Sequence, residues 1–389
     1  MYKILYLTQF SEIGGGETIL LSLLEKLDRK IFKPYVVVPK SGQLSRRLKQ
    51  LGIKTYLLDL PPYLIRTFFV PGASPHLMNR FIRLTKTIQP DLIHANHLTL
   101  AIYGGLAGKL LKIPVVATAH GPWDAIYFYQ DLVTNLFVNK IIVPTAEIKK
   151  LILRRKIIRT QKVTVIQFGI DTNKFKPTTK YQQLVARKAF GFSSTDFVIT
   201  IVGRLDPSKD HLTFLKTAQI VAKKLKNTRF FIVGSKLGDF SGQKYSYMKR
   251  IKNFLNDNPK LARRITFGGF IEDMPAVYSA TDILVSSSPS ESFGLAIAEA
   301  ASCALPIVAT DVGNIRAIIK NGKSGFLVSP KNPQAIARRI QTLFKNPVLG
   351  VSLGKFARGY VQKDLPLENY IAKVESQYRQ LILRAKRTK

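Results

Sequence analysis

The chain reads as an α/β protein with two doubly wound parallel-sheet domains, and three features of the sequence carry that expectation. Short apolar runs suited to buried strands alternate with amphipathic stretches of helical length along nearly the whole chain. The alternation opens at Lys3-Ile-Leu-Tyr-Leu-Thr8 and starts afresh at Phe197-Val-Ile-Thr-Ile-Val202. A length of 389 residues with 46% hydrophobic content supplies two separate cores.

Composition narrows the class. No uncharged apolar run reaches the ~18 residues of a spanning helix. The opening Ile4-Leu5-Tyr6-Leu7 is too short for the core of a signal peptide. The single cysteine, Cys303, lies among Ala and Leu and reads as a packed thiol in a reducing compartment. A net charge of +36 is spread over both halves and favours anionic partners: bilayers, nucleic acid or phosphorylated substrates. A generally basic proteome accounts for it equally well.

In the first half, the strand Lys3–Thr8 is followed by Gly14-Gly15-Gly16 and a helix over Glu17–Leu24. Strand, glycine turn and helix open a doubly wound fold, the glycines letting a ligand approach the backbone. The G-x-G-x-x-G pattern of a dinucleotide site is absent. Tyr35–Val38, Thr55–Leu58, Asp91–His94 and Val115–Thr118 read as strands and Gln43–Leu51 as a helix. The proline-punctuated aromatic stretch Pro61–Pro75 is either a covered loop or an exposed apolar edge. His120 follows a strand, which in an open sheet sets it at the ligand crevice, as a structural or a catalytic group. Trp123 is a core anchor or a stacking surface for a ligand. His94 and His97 have a spacing that a metal could use, but no carboxylate or cysteine stands near them in sequence, so no metal is expected. Glu147–Arg159 reads as a basic amphipathic helix, packed on its sheet or docked on anionic lipid. Val163–Ile166 is a strand, and the Lys- and Thr-rich 20 residues after Phe175 read as a linker.

In the second half, Gly203-Arg204-Leu205 and Lys209 follow the strand Phe197–Val202. Cations at a strand end opposite a helix start suit a diphosphate, although they could be two solvated cations among the 60 Lys and Arg. After strands at Phe230–Gly234 and Asp282–Val285 comes Ser290-Glu291-Ser292-Phe293-Gly294-Leu295, leading into a helix over Gly294–Cys303 with Ser292 as its N-cap. Amides near residues 293–295 and the positive end of the dipole suit phosphate. Glu299 lies roughly 9 Å along the axis from Phe293, at about 1.5 Å per residue. A diphosphate on the helix start could have a sugar at Glu291 and a ribose at Glu299. The alternative is two surface glutamates. Leu305–Gly313 reads as strand and turn, and residues 366–389 as a terminal helix with a frayed basic tail.

The motif Glu291-Ser-Phe-Gly-Leu with Glu299 resembles the donor site of retaining glycosyltransferases of family 4, the group 1 enzymes of GT-B fold. The resemblance runs in order along the chain. Gly14–Glu17 is similar to the family's Gly-Gly-x-Glu loop, which implies that Gly15 and Gly16 lie against the donor phosphates. His120 matches the histidine that reaches the transferring sugar. Gly203-Arg204-Leu205-x-x-x-Lys209 matches the cations that neutralise the diphosphate, with Asp210 where glycine is usual. Ile265–Ile271 resembles the base-reading segment. Residues 163–175 resemble the interdomain hinge, with Gln167-Phe168 replacing Pro-Asn. Asn314 and Ala317 stand where a second glycine and a glutamate are frequent.

The resemblance implies two Rossmann-like domains facing across a cleft: residues 1–175 on the acceptor side, 176–365 on the donor side, and 366–389 crossing back. It implies metal-independent, retaining transfer of a hexosyl or related sugar from a nucleotide diphosphate donor to an acceptor hydroxyl, on a lipid-linked or cell-surface glycan precursor. His120, Arg204, Lys209 and Glu291 would be catalytic. Gly15, Gly16, Gly203, Ser292, Phe293, Gly294, Leu295 and Glu299 would bind the donor, with no cofactor and no metal. The expected location is cytoplasmic, with peripheral contact to anionic membrane on its inner face. Two rivals stand beside this: a glycoside hydrolase using Glu291 and Glu299 as acid and base, and a basic non-enzymatic binder of nucleic acid or membrane. No recognition module supports specific nucleic-acid binding.

Overall fold

The computed structural model describes residues 1–61, 74–121, 128–234 and 242–387, and it divides into two compact units: Met1–Gly169 with Leu367–Lys389, and Ile170–Pro366. Most of the proline-punctuated stretch (62–73) and Trp123 lie outside the described residues.

The first unit is built on seven parallel strands: β1 (Tyr2–Leu7), β2 (Phe32–Val38), β3 (Lys54–Leu57), β4 (Leu92–Ala95), β5 (Val115–Thr118), β6 (Lys140–Val143) and β7 (Val163–Val165). Their order is β3-β2-β1-β4-β5-β6-β7. Ile4, Leu5, Tyr6 and Leu7 are all fully buried. Burial on both faces is why β1 is a continuous apolar run without alternation. The order reverses between β1 and β4, the point where an open α/β sheet offers a crevice at its carboxyl edge. The helix Leu367–Arg387 belongs to this unit, where the Tyr378 hydroxyl and His94 Nδ1 share a hydrogen bond of 2.5 Å and Glu375 accepts from the Asp28 amide at 2.9 Å.

The second unit has six parallel strands: β8 (Phe197–Val202), β9 (Thr228–Val233), β10 (Ile265–Gly269), β11 (Ile283–Ser286), β12 (Ile307–Thr310) and β13 (Phe326–Val328). Their order, β10-β9-β8-β11-β12-β13, reverses between β8 and β11. Phe175 is packed in this unit, its carbonyl accepting from Ser302 Oγ at 2.5 Å. Cys303 is buried, and burial, helped by Glu299, pushes its thiol pKa up to about 12.

Four local expectations are corrected. Gly15 and Gly16 are not a turn; they form the first turn of the helix Gly15–Lys26, with Gly14 as its cap and Glu17 reaching back to the Gly14 amide at 3.2 Å. Ser292 does not cap the next helix of interest. That helix is Leu295–Ser302, and its cap is Gly294 at φ 83°, a left-handed conformation that glycine adopts without Cβ strain. The basic helix is Ala146–Leu153 only, with Arg154 as its C-cap. The chain turns left-handed at Lys156 (φ 56°), so the cations from Arg154 onward share no helical face with Lys149 and Lys150. The supposed linker contains the helix Lys180–Ala189, whose Thr179 and Gln182 form a capping box. Arg187 of this helix is buried and bonded to Asp282, so the segment is packed against the sheet.

Candidate active site

In the second unit, the predicted donor residues gather at the carboxyl edge where β8 and β11 lie side by side. β8 runs into Gly203 at φ 157°, where a Cβ would lie 2.9 Å from Lys209 Cγ. Gly234, at the end of β9, is pressed on the same turn: its Cβ would lie 2.0 Å from the Gly203 carbonyl oxygen. Beyond Gly203, Arg204 Nε stands 3.2 Å from Asp206, and Asp206 also accepts from the Ser208 amide at 2.9 Å. Lys209 Nζ donates to Glu291 Oε1, which also accepts from Ser288 Oγ at 3.0 Å. Thr310 Oγ1 in turn fixes the Ser288 carbonyl at 2.6 Å.

The Glu291 loop is clamped from the β12 side as well. Gly313 has φ 52°, and a Cβ there would lie 1.8 Å from the Glu291 carbonyl oxygen. Only glycine allows that approach. Phe293 is buried, Ser292 and Leu295 are half-buried, and the helix Leu295–Ser302 begins after Gly294. Its first-turn amides have no acceptor within the helix, the feature that makes such an end receptive to anions. The structure thus brings Gly203, Lys209, Ser288 and Glu291 together. Each predicted cation already has a carboxylate partner, Asp206 for Arg204 and Glu291 for Lys209.

Glu299 occupies a different environment. It is 5% exposed and accepts from the Tyr278 hydroxyl at 2.6 Å. Burial pushes its carboxyl pKa up to about 7, against the lowering effect of that hydrogen bond and of Lys174. The two glutamates share no hydrogen-bond partner among those of the described residues.

In the first unit, the β1/β4 switch point gathers Gly16, Glu17, Asn96, His97 and His120. His97 Nε2 and Glu17 Oε1 are 2.8 Å apart, both side chains buried. Burial alone would raise the Glu17 pKa, but the hydrogen bond and charge of His97 bring it below the usual carboxylate value. His120 Nε2 lies 2.5 Å from the Asn96 carbonyl, which can only accept; Nε2 therefore carries the proton and Nδ1 the lone pair in the neutral ring. The His97 and His120 rings are 4.9 Å apart, and a Cβ on Gly16 would meet both, at 3.1 Å and 3.3 Å. Burial holds His120 neutral, pulling its pKa down to about 3. No side chain within 4 Å would meet a Cβ on Gly15.

Family profiles cover both units: residues 13–174 match Glycosyltransferase Family 4 and residues 182–360 match Glycosyl transferases group 1. The chain belongs to the group 1, family 4 type glycosyltransferases. It is 24% identical over 402 residues to the UDP-Gal:alpha-D-GlcNAc-diphosphoundecaprenol alpha-1,3-galactosyltransferase of Escherichia coli, covering 98% of this chain and 97% of that protein. The crystal structure of Anabaena HepE in complex with UDP-glucose superposes with a TM-score of 0.84 at 21% identity, covering 98% of this chain and 100% of that chain. A glycosyltransferase from Rickettsia africae gives 0.80 at 21% identity, covering 98% of each. At such identities the likeness shows the fold, GT-B, and nothing finer.

Within this glycosyltransferase, sequence reasoning overlooked Asp206, Ser288, Tyr278 and the pairing of His97 with Glu17. Asp206 was signalled by Asp-Pro-Ser, the composition of a capped turn. His97 and Glu17 are 80 residues apart, and nothing local announces their contact.

Proposed function

We propose that this glycosyltransferase moves a sugar from a nucleotide diphosphate donor to an acceptor hydroxyl with retention at the anomeric carbon. The observation that carries the reading is Lys209 bonded to Glu291 at the start of the helix Leu295–Ser302, beside Arg204. A diphosphate seated on the helix start competes with Glu291 for Lys209. Glu291, released, then has lone pairs for the hydroxyls of the donor sugar. In the reaction the anomeric C–O bond to the diphosphate breaks while a bond to the acceptor oxygen forms on the same face. The acceptor's proton leaves with the diphosphate. The protein contributes orientation and preorganised positive charge, from Arg204, Lys209 and amides near Gly294. Gly203 lets the cation loop close on the phosphates, Ser292, Phe293 and Leu295 shape the helix start, and Glu299 holds the ribose. Gly15 and Gly16 would lie against the donor phosphates, and His120 would reach the transferring sugar.

No metal or cofactor enters this reading: Arg204 and Lys209 would turn from their carboxylate partners to the phosphates, beside the helix start. EDTA is expected to leave turnover intact; a loss restored by Mg²⁺ would contradict it. The acceptor we propose is a lipid-linked glycan precursor, the kind named for the Escherichia coli relative, and the donor sugar a hexose. Peripheral contact with the cytoplasmic face of the membrane would suit such an acceptor and the net charge of +36. Among the described residues no helix is long and apolar enough to cross a membrane. A thermal-shift series over UDP-, GDP- and ADP-sugars tests the donor reading: a saturating cognate donor raises the Tm, by about 2.7 kcal/mol of stability at a hundredfold excess over Kd. No shift with any of them would overturn it.

The hydrolase alternative fits the geometry less well. Among the described residues the hydrogen bonds of the two carboxyls go to different partners, Glu291 to Lys209 and Ser288 and Glu299 to Tyr278. An acid–base pair must flank one scissile bond, and two residues along one short loop and helix are poorly arranged for that.

A further inference from the structure

The first and last residues of the second unit lie side by side. The Ile170 amide donates to the Leu365 carbonyl at 2.8 Å, and Ile170 bridges Pro366. Near each in sequence, within the first unit, stands an aromatic residue, Phe168 before Gly169 and Tyr370 after Leu367. Their rings meet edge to face, 5.7 Å apart at 90°. Phe168 also lies beside the His120 imidazole, at 5.5 Å and 38°. Both are buried, Phe168 at 3% exposure and His120 at 6%. Phe168 stands where the family resemblance leads one to expect asparagine, a side chain that would bring polarity to this contact.

We infer that Phe168, backed by Tyr370, is a positioning residue that keeps the His120 ring dry and fixes its plane. This rests on the reading that His120 serves the transfer reaction. His120 Nε2 is committed to the Asn96 carbonyl, and His97 packs against the ring at 4.9 Å. Gly16 has no side chain to press on it. Phe168 supplies an apolar ring against it. Among the described residues, the charged and titratable groups that act on His120 are Glu17 on the helix Gly15–Lys26, His97 after β4 and His94 within β4. Tyr370 lies behind Phe168, and burial keeps its hydroxyl neutral. Glu17 favours a proton on His120; burial and His97 oppose it, and burial is the larger influence. Removing the apolar cover weakens that larger influence, so the His120 pKa must rise.

The test is an NMR titration of the five histidines in the full chain, assigned by single His→Gln variants, for the unaltered protein and for Phe168→Asn, Phe168→Leu and Phe168→Tyr. In the unaltered protein His120 stays flat from pH 5 to 8. Phe168→Asn brings its midpoint to within about one unit of the ordinary 6.5. Phe168→Leu moves it less, and Phe168→Tyr restores the flat response. Turnover of the cognate nucleotide sugar follows: kcat falls about 10- to 100-fold in Phe168→Asn, with KM for the donor little changed and a new acid limb in the pH profile. Should Phe168→Asn not fold, Phe168→Thr takes its place as the polar variant. A flat His120 response in the folded polar variant, or a titrating one in Phe168→Tyr, overturns the inference. If the unaltered chain turns over no nucleotide sugar, the proposed function fails, and the titration still decides what Phe168 does to His120.

Discussion

Burial makes Glu299 costly to ionise in the folded protein. Its folded pKa of about 7 lies above the ordinary 4.5, so its contribution to stability is present below pH 4.5 and is lost as pH rises toward 7. Neutralising it relieves that burden. Glu299→Gln keeps an oxygen to accept from Tyr278 and is expected to raise stability at pH 8 by about 1–3 kcal/mol, with much less effect at pH 5. Donor affinity should move the other way, weakening about 10- to 100-fold as a charged hydrogen-bond acceptor is lost. Thermal melts at the two pH values and donor titrations measure both, and a variant equally stable at both pH values would sink the argument. At the other glutamate, Lys209→Ala leaves Glu291 without its cation and the phosphates without one of theirs. Turnover should fall by about 10² or more. A steady-state assay giving near-unaltered kcat would remove Lys209 from the chemistry.

At the scale of elements, the helix Gly15–Lys26 shows how position decides what a glycine does. Gly16 is helical, so alanine there gains about 1 kcal/mol of helix propensity. Its methyl would stand 3.1 Å from His97 Cε1 and 3.3 Å from the His120 ring, closer than packed carbons normally lie. Gly16→Ala is therefore expected to leave the Tm within a few degrees while lowering kcat about tenfold or more through displaced imidazoles. Activity unchanged in a well-folded variant would show that the rings do not matter. Strands were the most legible elements, because parallel strands buried on both faces are unbroken apolar runs, as in β5 (Val115–Thr118) and β8 (Phe197–Val202). The helix Lys180–Ala189 was hidden by a Lys- and Thr-rich composition that suits a linker, although Thr179 and Gln182 had the spacing of a capping box. The end of the helix Ala146–Leu153 was not legible, since no glycine or proline marks the left-handed turn at Lys156. At the site, Arg204, Lys209, Glu291 and His120 stood out through the family's motifs, and the structure sets the first three at the carboxyl edge of the second sheet and His120 after β5 in the first. Their partners Asp206 and Ser288 were obscured by ordinary loop composition, and Glu17–His97 by sequence distance.

Across the whole molecule, buried titratable groups make the two units respond differently to acid. His94 and His120 in the first unit have folded pKa values near 3, depressed mainly by burial. The unfolded chain takes up their protons first, at about 6.5, so the stability they hold above that value drains away as pH falls toward 3. In the second unit His211, at about 4, acts in the same direction, but Glu299, at about 7, acts in the opposite one. Between pH 4.5 and 6.5 these two nearly cancel. Burial raises one aspartate in each unit, Asp131 and Asp282, which subtracts from both units and leaves the contrast. The first unit should therefore lose up to about 2.7 kcal/mol per pH unit on acidification from 6 to 5, two protons at 1.36 kcal/mol each, while the second loses little. Urea unfolding followed separately through the C2 protons of His94 and His211 reads the two units in one experiment. The His94 midpoint should fall steeply between pH 6 and 5 and the His211 midpoint should hardly move. If both fall together, either the units unfold as one cooperative body or the histidines are not neutral in the folded state. Glu299→Gln separates those outcomes, because removing the opposing carboxyl makes the second unit acid-sensitive only where His211 is buried without its proton.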